Sequence, residues 1–304
     1  MTRESPPAAV DFKIAGHVAM QIAATREGPA HGFPVCLIHG GGQTRHAWRA
    51  AQRSLAEKGF LAVSLDLRGH GESSWSATAA YRYDDYAADL RCVAETLPRP
   101  PILVGASLGG IASVLAAGEK PPIAIAGLVL VDVAANMRKE GSRAIMDFML
   151  GTTGGFDNLE AAADAVARYL PHRSRPRNTD GLMKNLRKHE NGRFIWHWDP
   201  RAFTQSFDSE ALSRRLEGAA ALIDVPAILL RGEASELVTR EIADAFMKLF
   251  HQGAVVDIPK AHHMVAGDRN DAFNAELLAF VTAIRAAQAQ AHAYAQRSTG
   301  RCAG

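Results

Sequence analysis

The chain has 304 residues, of which 47% are apolar and 22% charged, with a formal net charge of +2. It is long enough to bury a full core, as one large domain or as a core carrying an insertion, and its charge balance gives nucleic acid or an anionic membrane no footing as a partner. The three cysteines, Cys36, Cys92 and Cys302, lie far apart, which excludes a disulfide scaffold and a C-x-x-C metal site.

Residues 1–7 are polar and proline-rich, without the apolar core of a signal peptide. No later apolar run approaches the ~20 residues of a membrane span. These features predict a soluble, cytoplasmic protein. Residues 10–14 and 17–22 alternate around Gly16, the pattern of an edge hairpin. Residues 34–38 form a short, wholly apolar strand that runs into His39-Gly40-Gly41-Gly42, and a helix with Trp48, Ala51 and Leu55 on one face follows, ended by Gly59. The next buried strand, 60–65, closes on Asp66-Leu67-Arg68-Gly69-His70-Gly71. Helix 83–97 leads to strand 101–104, and residues 123–131 read as another buried strand ending at Asp132.

From residue 136 to 219 that rhythm stops, and no clear buried strand is legible. The stretch reads as helical or irregular and carries Phe148, Phe156, Tyr169, Phe194, Trp196, Trp198, Phe203 and Phe207. Strands resume at 225–230 and 254–258, separated by a helix with Ile242, Phe246 and Leu249 on one face. A last helix aligns Phe273, Leu277, Phe280 and Ile284 before an Ala/Gln-rich end. Alternating strands and helices joined by short connections predict an α/β fold, a mostly parallel eight-stranded sheet with helices on both faces. The expected division is a core of residues 1–135 and 220–290, a helical cap at 136–219 and a tail at 291–304.

Chemistry concentrates at Gly105-Ala106-Ser107-Leu108-Gly109, set between a strand and a small-residue helix. A serine at such an apex takes a strained backbone that leaves no room for side chains two positions away, and Gly105 and Gly109 meet that demand. Ser107 also opens a helix, so the Leu108 N–H points at any oxyanion formed there. A serine hydroxyl needs a base, and the base needs a group to fix its tautomer. Ala261-His262-His263-Met264 follows the last strand. The loop after the strand before it, Arg231-Gly232-Glu233-Ala234-Ser235-Glu236, offers carboxylates, and Asp132 ends an earlier strand. A dinucleotide fingerprint and a phosphate-binding G-x-x-x-x-G-K loop are both absent. The His262-His263 pair lacks the spacing or third ligand of a zinc site.

The serine elbow, His39-Gly40-Gly41, Asp66-x-Arg68-Gly69-His70-Gly71-x-Ser73 and the order Ser, acid, His together resemble the α/β-hydrolase superfamily. The likeness is to its lid-bearing branch of esterases, C–C bond hydrolases, epoxide hydrolases and perhydrolases. It implies Ser107 as nucleophile, His263 as base and Glu236 as acid, with Asp132 as the alternative acid because some relatives draw it from that strand end. Ser235 stands where other relatives carry an aspartate. The resemblance places the oxyanion donors at Gly41 and Leu108, with Gly42 the alternative to Gly41, and it implies no cofactor. Trp196, His197 and Trp198 are candidates for lining the pocket. The expected activity is hydrolysis of a small to medium carboxylic ester, a small-molecule substrate. The alternatives are C–C bond hydrolysis, lactone opening and perhydrolysis on the same residues, or a ligand receptor limited to a single turnover.

Overall fold

The computed structural model describes residues 8–173, 175, 179–205 and 208–300; Phe207 and Cys302 lie outside the described residues. In chain order the first half comprises β1 (Val10–Ala15), β2 (Gln21–Glu27), β3 (Phe33–Ile38), α1 (Arg49–Glu57), β4 (Phe60–Leu65), α2 (Tyr83–Glu95), β5 (Ile102–Ala106), α3 (Leu108–Gly118) and β6 (Gly127–Val131). Next come α4 (Lys139–Gly151), α5 (Leu159–Tyr169), β7 (Leu186–Lys188), β8 (Phe194–Trp196) and α6 (Ser209–Ala220). The chain then returns through β9 (Ala227–Gly232), α7 (Arg240–Met247), β10 (Gly253–Ile258), α8 (Val265–Asp268) and α9 (Asn270–Gly300).

Eight strands form one sheet in the order β1-β2-β4-β3-β5-β6-β9-β10. From β4 to β10 every pairing is parallel, and β2 runs antiparallel to both its neighbours. The central strands are buried along their length because helices cover both faces, and successive residues serve opposite sides. Cys36 and Ile38 of β3, Leu103 of β5 and Leu128 and Leu130 of β6 pack toward α2, α3 and α6. Val35, Leu37, Val104, Val129 and Val131 pack toward Leu55 of α1 and Phe273, Leu277 and Val281 of α9.

Five local expectations shift. Residues 17–20 are the turn of the first hairpin, with Val18 and Ala19 at positive φ, so its second strand begins only at Gln21. The strand read at 123–131 is confined to Gly127–Val131. Leu249 lies beyond the end of α7 and is exposed, while Val281 rather than Phe280 fills the buried stripe of α9. The Ala-rich sequence after residue 286 continues α9 to Gly300, as its helix propensity favours.

The stretch between β6 and α6 is not wholly helical. β7 and β8 pair as a three-residue antiparallel ladder, too short to leave a periodic signature. An isolated bridge joins His70 to Trp198, and the Gly71 N–H donates to the His197 carbonyl at 2.6 Å, so this stretch is stitched to the turn after β4.

Candidate active site

Parallel strands deliver their C-terminal ends to one edge of the sheet, and the chemistry-bearing loops after β3, β5, β6, β9 and β10 all leave from it. Ser107 caps β5 with φ +45° and ψ −115°, a conformation that L-residues rarely hold. The flanking glycines make it feasible. A Cβ on Gly105 would stand 2.6 Å from the Gly109 carbonyl oxygen, and one on Gly109 would stand 2.5 Å from that of Ile38. Ser107 is partly exposed, at the start of α3.

One strand over, Asp132 follows β6, also at positive φ, and its side chain is fully buried. Its carboxylate is held on three sides. Oδ1 accepts the Gly232 N–H at 3.0 Å, while Oδ2 accepts the Ser235 hydroxyl at 2.6 Å and faces His263 Nδ1 at 2.8 Å. The His263 ring is 18% exposed, and among the described residues its Nε2 has no hydrogen-bond partner. Gly232 makes this loop arrangement possible, since a Cβ there would meet the His262 carbonyl oxygen at 2.4 Å.

Glu236 does not reach His263. Its Oε1 lies 2.7 Å from Nδ1 of His262, on the exposed side of the loop. The reason is local: Ser235 turns inward to Asp132 and also takes the Leu237 and Val238 N–H groups, which leaves Glu236 facing outward. Burial works to raise the Glu236 carboxyl, but hydrogen bonds from its own backbone and from His262 hold it below the ordinary range. Glu233 is also occupied, accepting the Lys260 N–H at 2.8 Å. Of the two candidate acids, the one joined to His263 is Asp132. Among the described residues no hydrogen bond joins Ser107 to His263.

The loop after β3 lies against the elbow, where a Cβ on Gly40 would be 3.3 Å from that of Ser107. Among the described residues, neither the Gly41 nor the Leu108 N–H has a hydrogen-bond acceptor. Gly42 is not available as their substitute, because its N–H donates to His70 Nε2 at 3.1 Å. The three pocket candidates separate. Trp198 is 2% exposed, its Nε1 without a partner among the described residues and 3.8 Å from where a Gly42 Cβ would stand, and its ring meets Phe203 edge-on. Trp196 stacks on Trp198 and donates to Thr152, and His197 turns its Nδ1 to the Gly71 carbonyl. His197 therefore fastens the stretch to the turn after β4.

The α/β-hydrolase fold family matches residues 34–269. The chain belongs to that family. It is 29% identical over 248 residues, 77% of this chain and 78% of the relative, to the esterase Rv0045c of Mycobacterium tuberculosis. A structure of that esterase, concerned with its transition-metal inhibition, matches 91% of this chain and 93% of the other with a TM-score of 0.72 at 25% identity. The non-heme chloroperoxidase of Burkholderia pyrrocinia is 28% identical over 84% of this chain and 94% of its own. The solved E-2-(acetamidomethylene)succinate hydrolase, at 22% identity, shares the fold with a TM-score of 0.78 over 90% of this chain and all of that one. These relatives support a hydrolase of the α/β type.

Within this α/β-hydrolase frame two histidines support the candidate oxyanion loop, and the sequence pattern assigned them no role. His39 directs Nδ1 at the Gly40 carbonyl and accepts the Leu67 N–H on Nε2. His70 directs Nδ1 at the Arg68 carbonyl and accepts the Gly42 N–H on Nε2. Both must therefore be neutral, and burial lowers His39 to about 4 and His70 to about 3. Unfolded imidazoles titrate near ~6.5, so between that pH and the folded values the unfolded chain binds more protons. Stability is then full above about pH 6.5 and is lost as the pH falls toward 4 and then 3. The melting temperature is expected to drop between about pH 6.5 and 5, above the range where most carboxylates titrate. A flat profile across that window would contradict two buried, neutral imidazoles.

The turn after β4 is held by charge. Asp66 is fully buried and ion-paired with Arg45, and Arg68 binds Asp89 through two hydrogen bonds of 2.6 and 2.8 Å. This Asp and Arg hold loops together. One grouping had no signal in the sequence. His172, which follows α5, stacks on His262 with ring centroids 3.6 Å apart, close to Glu236.

Proposed function

We propose that the protein is a serine hydrolase of small to medium carboxylic esters. Ser107 attacks the carbonyl, and His263 takes its proton on Nε2. Asp132 fixes the His263 tautomer through Nδ1 and stabilises the imidazolium. The Leu108 and Gly41 N–H groups receive the oxyanion. His263 then returns the proton to the leaving alcohol, and water activated by the same imidazole releases the acid from the acyl-enzyme. The observation that carries this reading is the 2.8 Å contact between His263 and a carboxylate buried at the sheet edge from which the Ser107 elbow also rises. In this reading residues 136–219 act as the cap, with Trp198, Phe203 and Met149 beside the oxyanion loop as its apolar side.

The esterase relatives favour water as the acyl acceptor, and the likeness to a non-heme chloroperoxidase supports a second reading, with hydrogen peroxide in water's place. Turnover of a chromogenic short-chain ester tests the first. Many product molecules per chain are expected, with peracid formed only when peroxide is added. Release that stops at one product per chain would overturn the enzyme reading and favour a receptor.

A further inference from the structure

His172, Glu236 and His262 each place a ligand atom within 4.8 Å of the other two, a donor set drawn from two separate parts of the chain. Two imidazoles and one carboxylate with an open fourth position suit Zn²⁺ and its transition-metal neighbours better than Mg²⁺ or Ca²⁺, which prefer all-oxygen shells. Tetrahedral zinc at ~2.0–2.2 Å from each ligand sets donor atoms about 3.3 Å apart, so closure needs at most about 1.5 Å of side-chain adjustment. His262 Nδ1 and Glu236 Oε1 already face each other at 2.7 Å, and a metal would replace the proton they now share.

The surroundings fit a cation that keeps an outer ligand. A cavity of ≈ 390 Å³ lined by His172, Arg173, Lys260, His262, Gly267 and Asp268 opens beside the pair of rings. The charge of Arg173 is answered by Asp268, which also accepts the His262 backbone N–H and lies 3.6 Å from His172 Nε2. Lys260 remains as a positive group at the rim, suited to an anionic fourth ligand such as chloride or hydroxide.

We propose that His172, Glu236 and His262 form a site for Zn²⁺ or a similar transition-metal ion, and that its occupation inhibits turnover. The site joins the segment after α5 to the loop whose next residue is His263. A metal there fixes that loop and the segment together, which restrains the neighbouring imidazole of His263 during proton transfer. The inhibitory half rests on the proposed esterase reading, whereas binding does not.

Calorimetric titration of the metal-stripped protein with Zn²⁺, and the visible spectrum after adding Co²⁺, test the site without any substrate. One equivalent is expected to bind. His172→Ala and Glu236→Gln, neither of them in the proposed proton relay, should each weaken binding at least tenfold. Ester turnover should fall at least tenfold as Zn²⁺ saturates the wild type, and His172→Ala should keep its basal rate and lose that sensitivity. Absence of binding, or equal affinity in both variants, would overturn the site. A filled site with unchanged turnover would overturn the inhibition, and a protein without ester turnover would count against the esterase reading while leaving the binding result to decide the site.

Discussion

Replacing Asp132 with asparagine is expected to lower kcat about 10,000-fold, while Glu236→Gln, assayed with a chelator present, leaves it within about threefold. The size of the first effect follows from the hydrogen bonds. Oδ1 of Asp132 accepts the Gly232 N–H, so an asparagine keeps its amide oxygen there and puts its NH₂ where Oδ2 stood. That NH₂ would face His263 Nδ1 and the Ser235 hydroxyl, which now meet an acceptor. The imidazole would answer by accepting on Nδ1 and carrying its proton on Nε2, where it can no longer deprotonate a serine. Because the oxygen on Gly232 survives, the variant should fold. Steady-state kinetics of the two variants decide between the carboxylates, and a large loss in Glu236→Gln with a mild one in Asp132→Asn would reverse the assignment.

The second large effect is expected from Ser107→Ala, which should lower kcat on the order of a millionfold and leave the residual rate that oxyanion donors alone can sustain. The substitution removes one oxygen from a partly exposed residue and keeps a Cβ, so the strained turn with φ +45° and its two glycines remains as it is. Stability measured by thermal melting should therefore change little. Retention of more than about 1% of turnover in a folded variant would remove the hydroxyl from the mechanism.

How far the chain could be read in advance depended on how local each signal was. The Ser107 elbow is written in five consecutive residues, because the glycines at 105 and 109 answer to contacts with neighbours only a turn away or on the adjacent strand. The buried central strands were legible because helices on both faces demand unbroken apolar runs, as in residues 34–38 and 60–65. The partner of His263 was not local. Carboxylates follow both β6 and β9, and the choice was made by Ser235, whose inward hydroxyl and two backbone bonds leave Glu236 pointing out. Ser235 at the place where some relatives carry an aspartate was the available clue.

Other features were illegible for the same reason. β7 and β8 are three residues each, below the length at which alternation can be told from chance. His197 between two tryptophans looked like part of a pocket, yet its ring and backbone both bind Gly71, a partner 126 residues away. His172 is separated from His262 by 90 residues and belongs to no motif, so only the folded chain brings it to Glu236.

An active-site-directed fluorophosphonate, followed by mass mapping of the modified peptide, tests the proposed nucleophile most directly. One adduct per chain is expected, on the Ser107 oxygen, formed in step with the loss of ester turnover and much more slowly in Asp132→Asn. Full turnover in protein exposed to excess reagent, or an adduct carried by some other residue, would contradict it.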